Sequence, residues 1–87
     1  MITLSKRLMQ LQTERGLKKK DIAAAAGLSI MGYYRYETGE RQPTADIIAR
    51  FCKIFNVSAD YLLGFSNDPV IHDPTPDEEA ATLEPAI

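Results

Sequence analysis

The sequence predicts an all-α fold, a cluster of five short helices joined by tight links and followed by an acidic tail. Three features carry this. Leucines recur at helical spacing near the start, helix-stopping residues recur along the first 64 positions, and all Lys and Arg lie in that same stretch while the remainder is acidic. A chain of 87 residues supports one domain, and a fold of that size buries only about 60% of its unfolded surface, so a deep substrate cavity is not expected.

In the first helix Leu4, Leu8 and Leu11 stand at i, i+4 and i+7, with Lys6, Arg7, Gln10 and Glu14 between them. Gly16 ends it and Leu17 follows as a core anchor. The second helix runs from about Lys19 to Ala26, with Ile22 and Ala26 facing inward and Asp21 in the first turn, where a carboxylate suits the positive end of the helix dipole. Lys18 is a poor N-cap, and Ala23 is small enough to let the next helix come close. Gly27 takes the left-handed conformation that stops this helix, Leu28 fills the core beneath the turn, and Ser29 caps a third helix spanning about Ile30 to Thr38.

Gly39 ends the third helix and Glu40-Arg41-Gln42-Pro43 forms a loop. Thr44 caps a fourth helix whose Ile47, Ile48, Phe51, Cys52 and Phe55 share one broad face. Asn56 supplies its left-handed terminus, Val57 anchors the link, and Ser58 with Asp60 starts a short fifth helix through Tyr61, Leu62 and Leu63. Gly64 closes a folded body of residues 1–64. Residues 65–87, broken by Pro69, Pro74, Pro76 and Pro85, bury too little apolar surface to order themselves. They read as a flexible tail or a linker to a further domain, with at most one short helical attempt around Asp77 to Leu83.

The formal net charge of −2 averages two unlike segments. Residues 1–64 hold all ten Lys and Arg against six acids, which makes the body +4. The tail holds Asp68, Asp73, Asp77, Glu78, Glu79 and Glu84 and no Lys or Arg, which makes it −6. The single cysteine, Cys52, forms no internal disulfide or zinc framework and fits a reducing compartment, the cytoplasm. The opening MITLSKR reaches charge by position 6 without an apolar stretch, so neither an export signal nor a membrane span is expected.

At about 100° per residue, Ile30, Met31, Tyr34 and Arg35 share one arc of the third helix, and Gly32, Tyr33, Tyr36 and Glu37 share the other. The second arc suits the core, with the Tyr33 and Tyr36 hydroxyls at the surface, so the first is the presented one. Ile, Met and Tyr beside Arg make an odd solvent face but a good groove face. In a DNA major groove Arg35 binds guanine O6 and N7 in bidentate fashion, Ile30 and Met31 touch thymine methyls, and Tyr34 reaches a phosphate or a base edge. The competing account makes Ile30 and Met31 packing residues. Lys18, Lys19 and Lys20 at the start of the second helix and Arg41 after the third flank this face as phosphate contacts; for any single lysine, plain surface charge is the alternative.

Residues 4–64 resemble the lambda-repressor-like helix-turn-helix family, also called Cro/CI-type or XRE-type regulators. The resemblance rests on Gly16-Leu17, Ile22-Ala23, Gly27-Leu28-Ser29, Tyr36-Glu37, Gly39, Pro43-Thr44 and Val57-Ser58 followed by Leu62-Leu63-Gly64, in the family's order and spacing. It implies a compact five-helix DNA-binding domain with the motif at helices two and three. It also implies base-reading positions at Ile30, Met31 and Arg35, with Tyr34 between them. Lys19 stands where a Gln commonly holds a phosphate. The family often pairs an Arg of the first helix with the Glu ending the third; the matching positions are Gln12 and Glu37, which carry one charge rather than two, and a backbone amide is another possible partner for Glu37.

The expected function is sequence-specific binding of a double-stranded DNA operator by a homodimer, as a repressor of prophage or bacterial type, with no cofactor, metal or membrane. Catalysis is not expected, because the only histidine, His72, lies in the tail beside Asp73 and Cys52 lies on an apolar helix face. The alternative is a protein-interaction module, such as an antitoxin or a regulator controlled by a partner protein that grips the tail or the end of the fifth helix. Tyr61, Leu62, Leu63 and Phe65 either close the core or extend into a dimer contact, and Phe65 is the best outward candidate.

Overall fold

A computed structural model describes residues 2–71. Five helices form, α1 (Leu4–Arg15), α2 (Lys19–Ala26), α3 (Ile30–Thr38), α4 (Ala45–Phe55) and α5 (Ala59–Leu63), and no strand occurs among the described residues. His72 and the stretch from Asp77 to Leu83 lie outside them.

The helix limits follow from local chemistry. Thr3, Ser29, Thr44 and Ser58 each stand just before a helix in extended conformation, and the side-chain oxygen of each accepts an N–H from the first turn. Lys18 cannot, and α2 starts without a side-chain cap. Each helix stops at a residue with positive φ, and the one that is not glycine is Asn56, at 54°.

The core gathers Leu8 and Leu11 from α1, Ile22, Ala23 and Ala26 from α2, Tyr33 and Tyr36 from α3, Phe51 and Phe55 from α4, then Val57, Tyr61 and Leu62. Phe51 is its hub: the rings of Tyr33 and Tyr36 both meet it edge-on, with centroids 5.9 Å away. Ile47, Ile48 and Cys52 pack against this core but are only half-buried, so the apolar face of α4 is narrower in fact than in sequence.

Three arginines hold helix ends. Arg7 donates from Nε to the Tyr61 carbonyl at 2.9 Å, Arg15 from Nη1 to the Phe55 carbonyl at 2.7 Å, and Arg50 from Nη1 to the Ala26 carbonyl at 2.9 Å. The last turn of a helix leaves carbonyls without intrahelical donors, and a long cation from a neighbouring helix suits both the lone pairs and the dipole. Arg7, expected among the polar residues of α1, is instead buried, its guanidinium 3.8 Å from the centre of the Tyr61 ring. It stands three residues after Leu4 and four before Leu11, on the leucine face, where α5 presents its carbonyl.

Tyr33 corrects a second expectation. Its hydroxyl is buried, without a hydrogen-bond partner among the described residues, rather than at the surface. Beyond Gly64 the chain keeps to the body: Phe65 and Ser66 donate to the Asp60 carbonyl, and Ser58 donates to the Pro69 carbonyl at 3.0 Å. A Cβ at Gly64 would stand 2.0 Å from the Ile2 carbonyl oxygen, so only glycine lets the N-terminal segment pass there.

Candidate nucleic-acid interface

The turn between α2 and α3 sets the orientation of α3. Gly27, at φ 73°, stops α2, and Leu28 donates back to the Ala23 carbonyl at 2.8 Å. Ser29 then accepts from the Gly32 N–H at 3.0 Å, which caps α3. Gly32 serves this cap, since a Cβ there would lie 3.1 Å from Ser29 Oγ.

Ile30, Met31 and Tyr34 are 56%, 58% and 45% exposed, and Arg35 is exposed as well. Four residues that include three large apolar side chains thus share the outward face of a nine-residue helix. Its other side carries Tyr33, Tyr36 and Glu37 into the body. Lys18 and Lys20 are exposed at the start of α2. Arg41 is exposed after α3, its backbone N–H bonded to the Arg35 carbonyl at 3.1 Å and its guanidinium 5.9 Å from the Tyr36 ring centre.

Lys19 differs from its neighbours. Its Nζ lies 2.8 Å from Glu37 Oε1 and 4.9 Å from the centre of the Tyr34 ring. The Glu37 side chain is 3% exposed, and its second oxygen has no hydrogen-bond partner among the described residues. The hydrogen bond to Glu37 raises the Lys19 ammonium above its ordinary value despite some desolvation, with the charges of Glu37 and Tyr34 adding to the effect. Burial, with Glu37 beside it, likewise pushes the Tyr33 phenol up, so it stays protonated. Gln12 does not take Glu37: its Nε2 donates to the Leu17 carbonyl at 2.9 Å. The reason is reach, because Gln12 closes the turn at the end of its own helix while Lys19 extends across the α2–α3 crossing. Nothing in linear spacing marks a pair eighteen positions apart.

Among the described residues no group of three or more His, Cys, Asp or Glu could hold a metal ion, and no helix is long and apolar enough to cross a membrane. Cys52 is half-buried, and burial raises its thiol above the ordinary value.

A short, tightly turned helix pair with its second member turned outward on a five-helix body defines a helix-turn-helix domain. The chain belongs to the helix-turn-helix family, whose model matches residues 6–62. It is 32% identical over 63 residues to the uncharacterized HTH-type transcriptional regulator YobD of Bacillus subtilis, covering 72% of this chain and 56% of that protein. It is 30% identical over 73 residues to the SPbeta prophage-derived regulator YonR of the same organism, covering 78% and 68%. The HTH-type regulator ImmR, also of Bacillus subtilis, is 32% identical over 63 residues, 72% of this chain and 50% of that one. The chain thus spans about half the length of YobD and ImmR. Among solved structures, the P22 c2 repressor in complex with a synthetic operator superposes with a TM-score of 0.70 at 18% identity, covering 76% of this chain and 100% of that one. A transcriptional regulator from Listeria innocua gives 0.67 at 24% identity, covering 93% and 73%. At those identities the likeness is one of fold.

Proposed function

We propose that this chain is a sequence-specific, double-stranded-DNA-binding transcriptional regulator of the repressor type that acts in the cytoplasm and lays α3 in the major groove. The observation that carries this is the joint exposure of Ile30, Met31, Tyr34 and Arg35 on one face of α3, a face whose apolar groups lie outside the hydrophobic core. Arg35 is the guanine reader, Ile30 and Met31 meet thymine methyls, and Tyr34 contacts a base edge. Lys18, Lys20 and Arg41 are the phosphate contacts on either flank. Relatives carry the name of transcriptional regulator, and the P22 c2 repressor of the same fold was solved on operator DNA. Both support the reading.

Two copies reading half-sites about one helical turn apart follow from this docking mode. Phe65, 71% exposed at the end of the body, is the proposed apolar contact between them. Selection of bound duplexes from a random DNA pool tests the whole reading. The expected result is enrichment of a short site, as an inverted repeat if the homodimer is correct. A pool that stays random after repeated rounds overturns specific readout and returns the question to control through a partner protein, the antitoxin-like alternative.

A further inference from the structure

The half-exposed Lys19 ammonium meets two groups of unlike kind. One is the buried Glu37 carboxylate at 2.8 Å; the other is the ring of Tyr34, a residue on the exposed arc of α3, its centre 4.9 Å away. Glu37 lies in the last turn of α3 and Lys19 in the first turn of α2, so one cation joins both helices of the motif and one of the side chains turned outward. We propose that Lys19 is a positioning residue for base recognition: anchored on Glu37, its ammonium holds the Tyr34 ring in the orientation that reads DNA, and it is not a phosphate contact.

An ammonium paired at contact distance with a carboxylate is close to electroneutral, and a neutral pair displaces no counterion from the duplex, so it contributes little to the salt dependence of binding. An exposed tyrosine, by contrast, has free choice of rotamer unless something holds its ring, and discrimination between bases requires side chains held close to one geometry. The ammonium over the ring supplies that hold through the ring quadrupole. The raised affinity of Lys19 for its proton keeps the arrangement charged at any physiological pH. The inference rests on the DNA-binding reading above and assigns Tyr34 a partner within it.

The test compares five proteins on the enriched site and on its single-base variants, across a salt series: wild type, Tyr34→Ala, Lys19→Met combined with Glu37→Gln, all three changes together, and Lys19→Arg. The paired substitution avoids stranding a buried charge and so keeps the body folded, which circular dichroism checks. Loss of the Lys19 pair is expected to relax the same base position as Tyr34→Ala, by about tenfold in preference, with the salt slope unchanged. It should add no further relaxation once Tyr34 is gone. Lys19→Arg, which keeps the cation, should keep the preference. A salt slope reduced by about one with the base preference intact would make Lys19 a phosphate contact, and uniform weakening with both readouts intact would make it a strut only; either overturns the proposal. So does relaxation that adds to that of Tyr34→Ala. If wild type itself enriches no site, the DNA reading fails first, and that failure is visible before any variant is made.

Discussion

At Glu37 a carboxylate with 3% exposure is neutralised by one half-exposed ammonium. Removing that cation alone leaves an unpaired buried charge, so Lys19→Met is expected to cost about 1–3 kcal/mol of stability, read from the urea midpoint, and Glu37→Gln placed behind it should recover part of the loss. The titration of this cluster has a definite sign. Lys19 and Tyr33 both hold their protons more tightly folded than at their ordinary values of 10.5 and 10.0, so the stability they contribute is fully present below those values and is lost as pH climbs through the raised ones. From these groups the unfolding free energy should be flat through neutral pH and fall above about pH 10. Tyrosinate absorbance checks it: the component that Tyr33→Phe removes should appear only as helical circular dichroism is lost. Its appearance with helicity intact would mean the Tyr33 hydroxyl is not enclosed. On the outward face, Arg35→Ala should cost about 1–3 kcal/mol on the selected site and relax a single base position. An equal loss on every sequence would move Arg35 to the phosphates.

Between α2 and α3 two separate devices stabilise the turn, the left-handed Gly27 and the Arg50 guanidinium bound to the last carbonyl of α2. They are coupled, since a Cβ on Gly27 would stand 3.1 Å from Arg50 Nη1. Gly16, which ends α1 at φ 61°, has nothing within 4 Å of that position. Gly16→Ala should therefore show the conformational cost alone, about 1–2 kcal/mol, and Gly27→Ala that cost plus displacement of Arg50. In a domain of this size each kcal/mol lowers the melting temperature by about 4–8 °C. Thermal melts of the two variants should separate, with Gly27→Ala the lower, and equal melting temperatures would show that Arg50 yields without cost. The same comparison bears on function, because the turn aims α3.

Across the whole molecule, positive charge is divided between structure and surface. Arg7, Arg15 and Arg50 end helices and Lys19 answers Glu37; of the six that remain, Lys18, Lys20, Arg35 and Arg41 lie on α3 or in the segments that flank it and are the ones proposed to meet a polyanion, and Lys6 and Lys53 lie on α1 and α4. Against these stand the five acids of residues 72–87. Val70 and Ile71 lie beside Arg15 and Asn56, at the ends of α1 and α4. Removing residues 72–87 is expected to raise non-specific DNA affinity at low salt, with the gain shrinking as salt rises. Fluorescence anisotropy on random duplex DNA measures it, and affinity unchanged at low salt would remove the tail from the electrostatics. The cut belongs after Ile71, because Asp68 and Pro69 accept hydrogen bonds from Ser58 and stabilise the start of α5.

Linear sequence by itself determined where the helices begin and end and which face of α3 turns outward. Those features are local: a hydroxyl reaches an N–H three residues on, a glycine or asparagine takes positive φ, and side chains recur every 100°, so neighbours along the chain suffice. Only the tertiary structure decided which charges remain for a ligand. Arg7, Arg50 and Lys19 each found a partner on another helix, at a distance set by helix crossings and side-chain reach rather than by spacing in sequence. Burial depth was decided the same way, since whether the Tyr33 hydroxyl emerges or stays enclosed depends on how closely α2, α3 and α4 converge around Phe51.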